Sequence, residues 1–520
     1  MMLPSRYVLI FLLFAFCAPL LPAQSSGSPA ATQGLGTVSF PTSCKAEAQP
    51  LFNKGVALLH SFQYAAAENA FNQVTQSDPQ CAMAYWGLAM SSYRPLWDGA
   101  NEKDLTKGRG YLEKARKIGG TDKREDEYIA ALEIIFSATH GVDSGRLADY
   151  SHAMADLSKH YPNDGEAQAF YALSLLALPE KGDLTVRKQA IAILNRLSAA
   201  QPEHPGAVHY LIHAADTPEL ATEGLEAARR YAKIAPDSSH ALHMPSHIFV
   251  RLGLWQESID SNKAAAVAAA DATEHHLGEA HYQFHAMDYL DYSYLQLGEE
   301  GKAKQVVEDL DKVPGRSPES ATNMRVNLTT RNLLELHHWK EALAMAPTGS
   351  AYNQQRIYWA RAIAAAHLGD VKAAQENLKN LKKISKGARD KNERLDGYQA
   401  AEAWVEFAKG KSEKAVKHMR AVAYQQESED SENFTVPARE MLADMLLELH
   451  QPAKSLAEYE AGLKRTPNRF NELYGAAMAA NQAGNSTKAK TYFSKLRENC
   501  SPQADREELQ HAGTIAAGSN

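Results

Sequence analysis

From residue 44 onward, apolar residues recur at spacings of three and four, the period of a helix with one buried face. Ala is abundant, and no stretch alternates apolar and polar residues as a half-buried strand does. The helical stretches come in pairs that repeat about every 34 residues. In the first pair Gly55 lies in the leading helix, Ala67 and Phe71 in the second, and Asp78-Pro79 closes the unit. Pro162, Pro202, Pro236, Pro314, Pro347 and Pro467 recur at unit ends. Each stops one helix and starts the next, because proline lacks the N–H needed mid-helix but fits a first turn. The stretches LGLWQESIDSN (252–262), LGEEGKAKQVV (297–307), LGDVKAAQENL (368–378) and AGNSTKAKTYF (483–493) mark the step from the first to the second helix of a pair.

These small-residue and proline positions resemble the tetratricopeptide repeat (TPR) family over roughly residues 45–498, with irregular units around 95–145. The resemblance implies an all-α, right-handed superhelical solenoid of antiparallel helix pairs, with the leading helices lining a concave groove. One pair cannot bury its apolar face alone, so neighbours must stack. The family's usual work is binding a protein or peptide in that groove. Irregular N-terminal repeats are expected over 44–200, histidine-rich central repeats over 201–298, C-terminal repeats over 299–498, and a flexible tail over 499–520.

The chain has 520 residues, 44% apolar, and a mixed-sign net charge of −7. That balance carries no basic footprint for nucleic acid. Residues 7–21 form a short apolar run after one positive charge, with Leu21-Pro22-Ala23 as a small-residue cleavage site. Residues 1–23 therefore predict a secretory signal peptide, and the mature protein is expected to be periplasmic or secreted, with no membrane span. Residues 24–43, rich in Ser, Gly, Ala and Thr, read as a flexible leader. Cys44 and Cys81, at the starts of two successive parallel helices, are placed for a disulfide in an oxidising compartment. Free thiols are the alternative there, and Cys500 is the odd one out.

Histidine changes the picture most. Residues 209–216 read HYLIHAAD and 281–288 read HYQFHAMD, one template written twice. Between them lies HALHMPSH, residues 240–247. Three i,i+4 pairs result: His209/His213, His243/His247 and His281/His285. This spacing puts two imidazoles on one helical face, about 6 Å apart at Cβ. Zinc-binding helices chelate with that geometry. Asp216 and Asp288, three residues beyond the second His, would add a carboxylate to two of the faces. His209 precedes His243 by 34 residues and His247 precedes His281 by 34, so the pairs fall on leading helices of consecutive units. Pro245 is expected to kink the middle helix.

Packed, hydrogen-bonded histidine is the simpler account of any one pair, but three pairs in register favour a metal. Asp216 alternatively caps the next helix, and Asp288 alternatively pairs with a cation. The ligands are imidazole and carboxylate without thiolate, which suits a transition metal ion, Cu or Zn favoured and Fe possible. Six His and two Asp exceed one four-coordinate site, so the site is dinuclear or some residues orient the ligands. Tyr210 and Tyr282 are candidate acid/base groups, with packing as the simpler reading. Arg251 either meets an anionic small-molecule substrate or pairs with an Asp. The segment around Trp86, Tyr93 and Trp97 reads as core, and superhelical curvature could bring His60 inward, though it is not counted among the ligands. Glu274 and Glu279, which flank His275 and His276, read as solvated, with ligand or general base as the alternative. The leading expectation is a metal-dependent enzyme, oxidoreductase before hydrolase. A metal-binding or delivery protein and a protein–protein scaffold with structural histidines are the alternatives.

Overall fold

The computed structural model describes residues 34–96, 99–138, 140–179, 183–274, 280–387, 398–429 and 435–510. Residues 1–33, where a signal peptide and the first part of the leader are expected, Trp97, His275, His276, Glu279 and the last ten residues lie outside these. Among the described residues there are 25 α-helices and no strand. They fall into twelve pairs once the two pieces separated at Met244 are counted as one helix. The pairs run from Gln49–His60 with Tyr64–Ser77 to Phe470–Gln482 with Ser486–Asn499, an all-α solenoid of TPR type. No helix among the described residues is long and apolar enough to cross a membrane.

The solenoid is wound tightly enough for distant units to touch. An apolar core runs without a break from Leu35 to Phe249. Within it His60, at the end of the first helix, reaches Tyr210 across 150 residues, with its Nδ1 2.9 Å from the phenol oxygen. Gly206 permits this approach, since a Cβ there would lie 2.5 Å from His60 Nδ1. Further on, the C-terminal repeats return to the central ones. Trp255 Nε1 donates to the Asn468 carbonyl at 2.9 Å, and the Arg469 guanidinium meets the Tyr292 hydroxyl at 2.8 Å and Glu335 at 2.5 Å.

Both ends depart from expectation. Residues 34–43 are packed rather than flexible: Val38 and Phe40 are fully buried, and the Phe40 ring contacts Phe52, Trp86 and Tyr128. Two large apolar side chains outweigh the small, polar residues around them. Residues 500–510 are also held, because Ser501 and Asp505 donate backbone hydrogen bonds to the carbonyls of Leu297 and Gly298. Arg506 lies over the Phe470 ring, 4.2 Å from its centroid. Cys500 is a free thiol there, pushed up to about 12 by burial.

Cys44 and Cys81 are joined, closing a 37-residue separation over the first helix pair. A cross-link of that span restricts the unfolded chain and stabilises by about 4 kcal/mol. The double variant Cys44→Ser/Cys81→Ser is expected to lose most of that in urea unfolding. Non-reducing peptide mapping should recover the linked pair, and two free thiols would refute it.

Candidate metal centre

Three stretches of chain supply the histidines. The helix Pro205–Ala215 carries His209 and His213 on one face. The next leading helix is divided by Pro245 into Ser239–His243 and Pro245–Arg251. Proline has no N–H to donate, so the ladder stops there. Beside the break, the carbonyls of Leu242 and His243 accept from the hydroxyls of Ser261 and Ser246. The helix Ala280–Gln296 carries His281 and His285.

The six nearest imidazoles form two clusters rather than three pairs. His209, His213 and His240 make one, and His243, His247 and His285 the other. In each, one ring nitrogen from every residue lies within 4.8 Å of the others. The clusters adjoin: ring centroids are 6.3 Å apart for both His213–His247 and His240–His243. The break at Met244 lets one segment serve both, His240 on one side and His243 with His247 on the other.

Hydrogen bonds fix which nitrogens face inward. His209 Nδ1 donates to the His60 carbonyl at 2.5 Å. His243 Nδ1 donates to Asn262 Oδ1 at 2.7 Å, and the Asn262 amide is oriented by its own bond to the Ser258 carbonyl. His247 Nδ1 donates to Asp216 Oδ2 at 2.9 Å. In His209 and His243, and in His247 when neutral, the proton is therefore on Nδ1 and Nε2 keeps its lone pair, with the Tyr289 hydroxyl 3.4 Å from that of His247. Yet His243 Nε2 and His247 Nε2 stand 3.0 Å apart, and His209 Nε2 is 3.1 Å from His240 Nε2. With both Nδ1 atoms of His243 and His247 donating, their facing Nε2 lone pairs repel unless a cation, a proton or a metal ion, lies between them, whereas His240 can donate from Nε2 to His209. Nitrogens bound to one tetrahedral ion at about 2.0–2.1 Å are roughly 3.3 Å apart, so a small opening of each pair would admit one. His213 Nε2 is buried with no hydrogen-bond partner.

Five of the six rings are held neutral. Burial, followed by repulsion from neighbouring imidazoles, drives His209, His240 and His243 well below the usual histidine range. The same two causes bring His213 to about 3 and His285 to about 4. Neutral imidazole is the form that binds metal. The second cluster opens on a cleft of about 910 Å³, counted to its mouth, lined by His247, Tyr289, Arg251, Tyr292, Arg439 and Glu472 among others.

Other expected ligands are placed elsewhere. His281 belongs to neither cluster; its ring lies 4.1 Å from that of Tyr282, tilted by 33°, one turn short of His285. Asp216 sits past the end of its helix, so its carboxylate leaves the His209/His213 face and takes His247 Nδ1 and Arg251 Nε, each at 2.9 Å. It orients a ligand, and it accounts for Arg251 as its ion-pair partner. Asp288 neutralises the buried Arg331 at 2.6 Å. Tyr210 is fully buried, its ring 5.4 Å from that of His209 but its hydroxyl bonded to His60. Tyr282 donates to the Phe62 carbonyl at 3.2 Å, its ring 6.2 Å from His240.

A third group, His60, Glu166 and His204, is fully buried. His204 Nδ1 accepts from the Ala207 N–H, so its Nε2 carries the proton and donates to Glu166 Oε1 at 3.2 Å. His60 Nε2 bonds the other oxygen at 2.6 Å. Burial opposes ionisation of Glu166, but His204 and His60 outweigh it and bring the carboxyl to about 2. The group is satisfied within itself. It acts on the centre through the His60 carbonyl, which holds His209.

Replacing Asp216 by Asn keeps the shape but removes the charge that polarises His247. Metal affinity of the second cluster is expected to fall about 10- to 100-fold, as carboxylate–histidine–metal partners generally show. Competition with a calibrated chelator measures it, and unchanged affinity would remove Asp216 from the centre.

Fold and site together define an all-α repeat protein with a histidine-lined interior. Residues 48–81 match the tetratricopeptide repeat family. The chain carries a tetratricopeptide repeat there, and the helix pairs that continue it make the whole a tetratricopeptide-type solenoid. No curated protein matches the sequence. Among solved structures, the human IFIT1 dimer with m7Gppp-AAAA is similar at 12% identity, over 85% of this chain and 94% of that chain, with a TM-score of 0.34. The APC/C hetero-tetramer Cut9-Hcn1 is similar at 11% identity, over 89% of this chain and 90% of that chain, with a TM-score of 0.33. At such scores these likenesses carry no argument about function.

Proposed function

We propose that the protein binds two transition metal ions, one in each three-histidine cluster, and that it is a metal-dependent enzyme acting on a small molecule. The observation that carries the reading is the facing Nε2 atoms of His243 and His247, 3.0 Å apart, whose opposite nitrogens are pinned by Asn262 and Asp216. Three histidines per ion leave a coordination position for water or substrate, the arrangement of catalytic rather than structural sites. All-imidazole ligation favours Cu or Zn, with Fe possible. Copper or iron would make the chemistry oxidative, and zinc hydrolytic. The cleft beside His247 is the route for substrate. Export to a periplasmic or extracellular compartment is part of the proposal, supported by the apolar run at residues 7–21 and by the Cys44–Cys81 bridge.

A second reading keeps the repeat as a protein-binding scaffold, or the metal as cargo without turnover. The repeat architecture favours it, since stacked helix pairs commonly present a binding surface. Plasma mass spectrometry of the tag-free mature protein, purified from its native compartment, decides. About two equivalents of one transition metal are expected. Protein that is metal-free and takes up none on addition of Cu(II), Zn(II) or Fe(II) would leave the scaffold.

A further inference from the structure

Five arginines are buried among the described residues: Arg331, Arg356, Arg439, Arg469 and Arg506. Four face carboxylates. Arg331 pairs with Asp288 and Asp291, Arg439 with Glu427 and Glu458, Arg469 with Glu335 and Glu440, and Arg506 with Glu508. Arg356, only 7% exposed, has no such ion pair among the described residues. Its Nη1 meets the Tyr352 hydroxyl at 3.2 Å, and its Nε is buried with no hydrogen bond.

A buried guanidinium without a counter-charge is costly, and proteins keep one where a ligand supplies the charge. Burial, with Arg331 nearby, pulls Arg356 below the usual arginine range, against the pull of Tyr352 and Asp288. On the helix Ala351–His367, Tyr352 precedes Arg356 by four residues and Trp359 follows it by three, so the three share a face. The Trp359 indole N–H is likewise buried without a partner. Guanidinium and indole only donate, so what completes the site must accept. The helix Ala351–His367 packs on Pro318–Glu335, whose Arg331 holds Asp288, three residues beyond His285 of the second cluster. The arginine thus belongs to the same wall as the histidines, further along the array.

We propose that the helix Ala351–His367 carries a binding site for a small oxyanion, a carboxylate or phosphate group, gripped by the Arg356 fork beside Tyr352. The site stands without the metal reading. If that reading also holds, the anion is the handle by which a substrate is held beside the second cluster.

The test uses the full mature chain, titrated with inorganic phosphate and, separately, with succinate at constant ionic strength. Melting temperature and calorimetric heat are followed. Wild type is expected to bind one of the two saturably, which one telling phosphate from carboxylate. Arg356→Gln is expected to bind at least about tenfold more weakly, the scale of a charge-assisted contact. Arg361→Gln serves as the control, since Arg361 is occupied by Asn377 and the Met345 carbonyl. Arg356→Met, which removes an uncompensated charge, is expected to melt higher than ligand-free wild type. Should the Gln variant not fold, Arg356→Lys keeps the charge but loses the fork, and must also bind more weakly. No saturable response of wild type to either anion, or Arg356 variants that respond as wild type does, overturns the proposal.

Discussion

A His240→Ala variant is expected to lose one of two bound metal ions, while His281→Ala keeps both. The expectation separates the folded geometry from the sequence pattern, because the doubled octapeptide includes His281 and leaves out His240. His240 stands with Nε2 3.1 Å from that of His209, whereas His281 lies outside both clusters. Removing one of three ligands leaves two, and loss of even a second-sphere partner costs 10- to 100-fold, so the affinity of the first cluster should drop by more than about 100-fold. The second cluster, His243, His247 and His285, should stay filled. Metal content by plasma mass spectrometry after dialysis gives the stoichiometry directly. His338→Ala, a part-exposed residue beside Glu300 and Glu341, is the neutral control. If His281→Ala lowers the metal content as far as His240→Ala does, the two-cluster assignment is wrong.

The second large effect is on stability in acid. In the folded, metal-free protein His213 is held at about 3 and His285 at about 4, against 6.5 when exposed. Between those limits the unfolded chain binds protons that the folded chain refuses, so stability rises with pH in that window and falls as pH is lowered. The contribution is complete above about 6.5 and drains away as pH falls through 4 towards 3. Two such groups imply a loss on the order of several kcal/mol, comparable with the whole stability of many domains. Chelator-treated protein should therefore show a steep fall in urea midpoint from pH 7 to pH 4.5. His213→Gln and His285→Gln should each flatten the profile. A wild-type midpoint that stays level over that range contradicts the buried, neutral state assigned to these rings.

Helix pairing is legible in the sequence because it is local. The i,i+3/i+4 pattern, the prolines at unit ends and the small residues at helix contacts act within one or two turns. The histidine concentration is legible for the same reason, and so is the break at Pro245. How the break aims His240 is not, since an idealised register matches His243 to His209 at 34 residues and passes over a residue at 31. The signal was present in the three histidines of HALHMPSH. The roles of Asp216 and Asp288 depend on Arg251 and Arg331, whose positions follow from winding. His60 lies 149 residues before His209, whose Nδ1 its carbonyl holds, and no local period announces that contact. The packed stretch 34–43 was hidden by composition, because Val38 and Phe40 sit among small residues.

The return of the last repeats onto the middle of the array changes how the molecule should come apart. In an open repeat array each unit touches only its neighbours, so ends fray and unfolding is piecemeal. Here Trp255 meets Asn468 across 213 residues, and Arg469 meets Tyr292 across 177. These closures tie the C-terminal end to the interior, so a unit there cannot melt without exposing the wall of another. The cost falls on kinetics. Contacts of such sequence separation form late and slow the search, while local helix pairs form early. The array should assemble quickly as beads on a string and close slowly, and from then on behave as one cooperative body.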